Sequence, residues 1–87
     1  MEYMVENTVC NRAREAGWIT RKLQWVGRKG APDRFFLKAG RIVLIEFKDR
    51  GKQPSVIQLR EIERFKEAGA EVYVIDTVRD GLGVLGI

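Results

Sequence analysis

Asp33, Glu46 and Lys48 are the residues of this sequence whose types and spacing support chemistry. They flank two β-rich runs, Arg34 to Lys38 and Arg41 to Lys48, joined by Ala39-Gly40, which reads as a tight hairpin turn. With the turn centred there, Lys38 faces Arg41, and the pairing continues outward as Leu37 with Ile42, Phe35 with Leu44 and Asp33 with Glu46. Strand side chains alternate between faces. Leu37, Ile42, Phe35 and Leu44 are therefore expected as core on one face, which ends in Asp33 and Glu46, with Lys48 one step beyond. The opposite face carries Phe36, Val43, Ile45 and Phe47. The second run is apolar on both faces, which predicts a strand inside the sheet.

Carboxylates directly opposite each other on an antiparallel pair lie about 4.5–5.5 Å apart at Cβ, and like charges there are destabilising. A divalent cation is the simplest compensation, and an oxygen-only donor set favours Mg²⁺ or Mn²⁺. A lysine on the same face stabilises developing negative charge or orients a water. Together these groups suit phosphodiester hydrolysis. Spacing alone leaves a second reading open, in which Asp33 merely opens a turn after Pro32 and Glu46 and Lys48 form an ordinary edge ion pair.

The rest of the composition narrows the chemistry. There is no histidine among the 87 residues, which removes histidine general bases, Ser/His/Asp and Cys/His triads and histidine metal sites. The single cysteine, Cys10, excludes a disulfide framework and a thiolate cage and reads as a small buried helix residue. No apolar run approaches the roughly 20 residues of a membrane span. The opening MEYMVENTVC is acidic and mixed, unlike a signal peptide, so the expectation is an intracellular protein without a membrane partner. The net charge of +4 and pI near 9.6 permit a polyanionic partner. Residues 1–30 and 31–54 each hold six Lys/Arg against three Asp/Glu, whereas residues 55–87 hold four against six, which places the basic excess in the first two-thirds of the chain.

The elements that must position the hairpin follow from periodicity. Residues 3–16 read as a helix with Val5, Val9, Ala13 and Ala16 on one face and Gly17 as its C-terminal cap. Trp18 to Trp25 reads as a strand and residues 26–32 as a loop. After the hairpin and a polar loop over 49–54, Ser55 and Gln58 form a capping-box pattern for a helix to about Ala68. Leu59, Ile62 and Phe65 supply its apolar stripe. Gly69 ends it, Glu71 to Ile75 is a further strand, and Thr77 caps a short final helix. The order is αβββαβ with a last turn of helix, an α/β fold with helices packed on a sheet, read as one domain over residues 1–87. A domain this small has a thin core, and a dimer partner would help it.

Gly30-Ala31-Pro32-Asp33, twelve intervening residues and Glu46-Phe47-Lys48 resemble the PD-(D/E)xK nuclease signature. Glu6 in the first helix, Gln58 at the start of the second, and Gly69 before the last strand extend the likeness to the VRR-NUC family, the virus-type replication-repair nucleases, over nearly the whole chain. The resemblance implies a restriction-endonuclease-like core with a mixed sheet flanked by helices. It also implies Mg²⁺- or Mn²⁺-dependent cleavage of DNA. Asp33 and Glu46 match the family's metal-binding carboxylates, and the Phe47 carbonyl would be a further ligand. Glu6 matches the acidic residue that reaches the metal shell directly or through water. Lys48 matches the lysine that positions the nucleophilic water, and Gln58 the glutamine bordering the site. Stand-alone copies of this size are typical of phages, resemble Holliday junction resolvases and act as homodimers on branched DNA. That implies the cytoplasm of a bacterium or phage-infected host. The final helix and its glycine-rich tail are the candidate dimer surface.

Arg28, Lys29 and Lys52 fall on loops near the carboxylate end of the sheet and read as phosphate contacts, with ordinary solvated charges as the alternative. From helical spacing alone Glu6 is a solvated glutamate, and Gln58 has structural work in the capping box. Trp18 and Trp25 suit core or dimer packing better than base stacking. The rival functional readings are a nucleic-acid-binding module without catalysis, an interaction domain that recruits a helicase or polymerase, and a nuclease acting on ordinary duplex DNA.

Overall fold

Ala39 and Gly40 both take positive φ, 49° and 81°, the backbone of a two-residue type I′ turn whose twist matches the strands it joins. That turn sets the register of the hairpin. Its arms are β2 (Arg34–Lys38) and β3 (Arg41–Phe47), paired from Lys38 with Arg41 out to Arg34 with Ile45, as the sequence predicts. The computed structural model describes residues 1–87 and completes the order with α1 (Glu2–Glu15) and β1 (Ile19–Lys22) before the hairpin, then α2 (Val56–Glu67), β4 (Glu71–Ile75) and α3 (Val78–Leu85) after it. The sheet runs β1-β2-β3-β4. Its first three strands are antiparallel and β4 is parallel to β3, so the sheet is mixed and β3 lies inside it. Val43 to Phe47 are all buried, which explains why this strand is apolar on both faces.

The two faces are unequal. Phe36, Val43, Ile45 and Phe47 point to α1 and α3, where they pack with Val9, Cys10, Ala13, Trp18, Ile75 and Leu85. The other face holds a smaller cluster of Leu44, Ile62 and Val72, with Leu23, Phe35 and Phe65 against it, under α2. The expected core on that face is therefore too long. A groove separates Ile42, at the turn end of the hairpin, from the last turn of α2, and Ile42 stays 56% exposed. The apolar stripe of α2 is also rotated from the expectation. Ile62 is buried and Phe65 half-buried, but Leu59 faces outward at 42% exposure while Glu61 is buried. Cys10 is buried as expected.

β1 is shorter than the predicted run. The chain leaves the ladder at Leu23, whose N–H donates to the Asp33 carbonyl at 2.9 Å, and Trp25 stacks on Phe65 with ring centroids 5.4 Å apart. Trp18 is buried, with the Arg41 guanidinium 5.9 Å from its ring centroid. Both tryptophans thus serve packing. α1 receives a tertiary cap, since the Glu2 N–H donates to Asp49 Oδ1 from the loop that follows β3. α3 begins at the predicted cap, where Thr77 Oγ1 accepts from the Asp80 N–H at 3.1 Å. Leu85, in α3, is buried in the core. No helix is long and apolar enough to cross a membrane.

Gly81 makes the approach of α3 to α1 possible, because a Cβ there would stand 2.7 Å from Val9 Cγ2. At Gly83 a Cβ would meet nothing within 4 Å. Gly81→Ala is expected to destabilise the protein by about 1–3 kcal/mol through overpacking. Gly83→Ala is expected to stabilise it by about 0.5–1 kcal/mol through lost unfolded-state entropy. Urea denaturation of the two variants reads the opposite signs directly.

Candidate active site

Strand parity puts Glu46 on the α2 face of β3, one step beyond Leu44. It is a charged residue in an internal strand and only 1% exposed. β2 begins at Arg34, so Asp33 lies just outside the ladder. Its carboxylate is fixed there: Asp33 Oδ2 accepts from the Phe47 N–H at 2.7 Å. The Asp33 carbonyl is held by Leu23 on the other side. Local backbone pairing thus aims the aspartate at the strand that carries the glutamate.

Glu46 Oε2 is contacted twice. Gln58 Nε2 donates to it at 2.7 Å, and Lys48 Nζ lies 3.1 Å away. Gln58 reaches it from the first turn of α2, where the capping box is complete. Gln58 Oε1 accepts from the Ser55 N–H at 2.9 Å, and Ser55 Oγ accepts from the Gln58 N–H at 3.2 Å. One side-chain amide therefore caps the helix with its oxygen and holds the carboxylate with its nitrogen. Glu46 Oε1 is buried with no protein donor to satisfy it, and the Asp33 and Glu46 carboxyl groups lie within hydrogen-bond reach of each other.

Burial pushes the Glu46 carboxyl up to about 7, with the Asp33 charge adding to the rise and Lys48 opposing it. Asp33 is also raised, first by burial and then by the Glu6 charge, against the Phe47 N–H and Lys48. Two adjacent carboxylates face one ammonium group, so the cluster lacks positive charge when fully ionised. The orphaned Glu46 oxygen and the all-oxygen donor set fit a hard divalent cation, which is commonly held by one or two carboxylates and its own waters.

The structure brings Asp33, Glu46, Lys48 and Gln58 together. Glu6 lies near enough for its charge to raise Asp33, but its carboxylate is taken by Arg34, and no third acidic or thiol side chain joins the pair in a metal-binding group. Arg34 follows Asp33 and points to the opposite face of the sheet, where its Nε donates to Glu6 Oε2 at 2.6 Å in a largely buried ion pair. Arg34 was missed in the sequence, although its place one residue after Asp33 puts it on the α1 face. Phe47 turns its ring into the α1–α3 core and its N–H to Asp33, so its peptide group borders the carboxylates. Arg28, Lys29 and Lys52 are exposed on the two loops flanking the hairpin. Arg28 also pairs with Glu61 at 3.7 Å, and Glu61 is buried.

No protein-family model matches the chain. A solved structure of a VRR-NUC domain superposes with a TM-score of 0.90 at 36% sequence identity, covering 98% of this chain and 94% of that one. The protein named "Putative nuclease p44" of Acyrthosiphon pisum secondary endosymbiont phage 1 is 36% identical over 77 residues, which is 87% of this chain and 83% of the phage protein. The chain belongs to the VRR-NUC family. The four-stranded mixed sheet flanked by helices is thus a VRR-NUC nuclease fold, with the hairpin carboxylates at the base of its central strands.

The raised Glu46 carboxyl has a measurable consequence in the metal-free VRR-NUC domain. Between about 4.5 and about 7 the folded state binds more protons than the unfolded chain. Stability therefore falls as pH rises through that window, by up to about 3 kcal/mol. Glu46→Gln is expected to flatten the fall. Urea midpoints at pH 5 and pH 7.5 in EDTA, for the natural protein and the variant, check both the sign and the residue.

Proposed function

We propose that this VRR-NUC domain is a Mg²⁺- or Mn²⁺-dependent endodeoxyribonuclease acting on branched DNA such as Holliday junctions. The observation that carries the reading is Glu46: a buried carboxylate against Asp33, held at one oxygen by Gln58 and Lys48, with its other oxygen offered no protein donor. A structural ion pair at a sheet edge leaves no such buried, unpartnered oxygen. The similarity to a phage nuclease and to a solved VRR-NUC domain supports the same chemistry.

In this reading Asp33 and Glu46 would hold the cation, with the Phe47 carbonyl as a further ligand; Glu6, paired with Arg34, would reach it through water or directly on leaving that pair. A bound Mg²⁺ or Mn²⁺ supplies Lewis-acid polarisation of the scissile phosphate and a water of lowered pKa. Lys48 Nζ, already 3.1 Å from Glu46, orients the attacking water and offsets the negative charge that grows on the phosphorus oxygens. Gln58 keeps Glu46 from rotating away, and the Phe47 N–H does the same for Asp33. The 3′ oxygen leaves in line with the attack. Arg28, Lys29 and Lys52 hold phosphates beside the site. A homodimer places one such site against each of two strands, which suits a four-way junction. The working compartment is the cytoplasm of a bacterium or phage-infected cell, where a helicase is a further partner of this reading.

Cleavage of a labelled four-way junction beside matched linear duplex and single strand, in Mg²⁺, Mn²⁺ or EDTA, tests the reading. Metal-dependent cutting of the junction above the linear controls is expected, reduced about 10²–10³-fold or more by Lys48→Ala. Equal cutting of linear duplex would overturn the branched-DNA preference. Cutting that persists in Lys48→Ala would overturn the site. Tight, salt-sensitive binding without any cutting would make the chain a binding module.

A further inference from the structure

The segment between β1 and β2 is a loop closed at its base by the Leu23 N–H donating to the Asp33 carbonyl, so it begins and ends at the active-site aspartate. Compact loops with adjoining ends are often functional. This one is pinned to α2 at three points. Trp25 stacks on Phe65, Arg28 pairs with the buried Glu61, and Gly30 lies so close to α2 that a Cβ would meet Ile57 Cγ2 at 3.1 Å and its carbonyl at 3.2 Å. The pinning leaves Val26, between the anchored Trp25 and Gly27, wholly outside the packing at 100% exposure. A β-branched apolar side chain held into water by a fixed loop gains nothing from the fold.

Beside it, Arg28, Lys29, Arg60 and Arg64 line one groove between the loop and α2. Its only carboxylate is Glu61, already matched by Arg28. Arg60 and Arg64 also border a second groove on the other side of α2, which they share with Val56, Leu59, Glu63 and Glu67. The basic groove also includes Ile57, one residue before Gln58 on the first turn of α2. Six residues lie between Val26 and Asp33, and the seven steps of chain bound their distance at about 25 Å, or roughly seven base pairs of duplex at 3.4 Å each.

We propose that the Trp25–Lys29 loop and the Arg60/Arg64 face of α2 grip DNA beside the active site, and that Val26 enters the base stack there. The inference rests on the DNA-cleaving reading above. The four cations match a phosphate track, and an apolar wedge on a basic surface is a known means of unstacking a base step. Unstacking is easiest where stacking is already interrupted, so the device favours branch points over uniform duplex. Arg60 and Arg64 grip without reading bases; Val26 senses whether the stack yields.

The test uses the full-length protein with a four-way junction carrying 2-aminopurine at the branch, in EDTA so that binding is read without cleavage. Fluorescence is expected to rise on binding to the natural protein and to stay low with Val26→Ser. The double variant Arg60→Ala/Arg64→Ala is expected to lower the slope of log affinity against log salt by about two. Thermal melting of every variant confirms folding, and because all three side chains are exposed their melting points are expected to match the natural protein's. An unchanged salt slope would overturn the groove. A fluorescence rise that survives Val26→Ser, or is absent in the natural protein despite binding, would overturn the wedge. Absence of any DNA binding by the natural protein would overturn the nuclease reading and this inference together.

Discussion

A carboxylate buried in the central strand of a small sheet is the constraint on which this molecule is organised. Glu46 stands where an aliphatic side chain would stabilise the fold. Desolvating a charge there is costly unless it is hydrogen-bonded and paired. Asp33, just before the neighbouring strand β2, adds repulsion. The surrounding elements are arranged around that cost. Lys48 comes from the residue just after the same strand, Gln58 from the first turn of α2, and the Phe47 N–H fixes Asp33. The larger apolar cluster lies on the opposite face, so the face that carries the carboxylates needs only α2 and a few side chains to cover it.

The capping box of α2 shows how secondary structure and site share atoms. Ser55 and Gln58 close the helix start in the usual reciprocal way. The same glutamine then spends its amide nitrogen on Glu46. A serine–glutamine pair is favourable as local structure alone, which is why the sequence could support both a structural and a functional reading of Gln58. Both hold at once, because an amide has a donor end and an acceptor end.

The hairpin was legible because its information is local. A two-residue turn, period-two alternation and a run apolar on both faces specify register, faces and the internal position of β3. The capping signals at Ser55 and Thr77 are equally local. What could not be read depends on how elements meet in space. Nothing in the α2 sequence says that Glu61 would be buried and Leu59 exposed; that rotation is set by Arg28 and Gly30 of the loop packed beside the helix. The partner of Glu6 is 28 residues away and comes from Arg34 on the same sheet face. Trp25 has a strand-like sequence, but stacking on Phe65 takes it out of the ladder. The main core proved to be the Phe36–Phe47 face because two helices cover it, against one on the other.

The positive-φ turn at Ala39-Gly40 lies at the far end of the hairpin from Asp33 and Glu46, and that distance makes the site tolerant of one kind of change and intolerant of another. Side chains directly across an antiparallel ladder always share a face. Adding one residue to each arm at the turn would lengthen the hairpin and leave the two carboxylates opposite each other, still counted from its base. Adding one residue to a single arm would slip the register and send every side chain beyond it to the wrong face, unless a bulge absorbed it. The interval between Asp33 and Glu46 is therefore free to grow in steps of two and resists steps of one. The hairpin acts as a ruler graduated in pairs, with its zero at the active site and its free end in solvent.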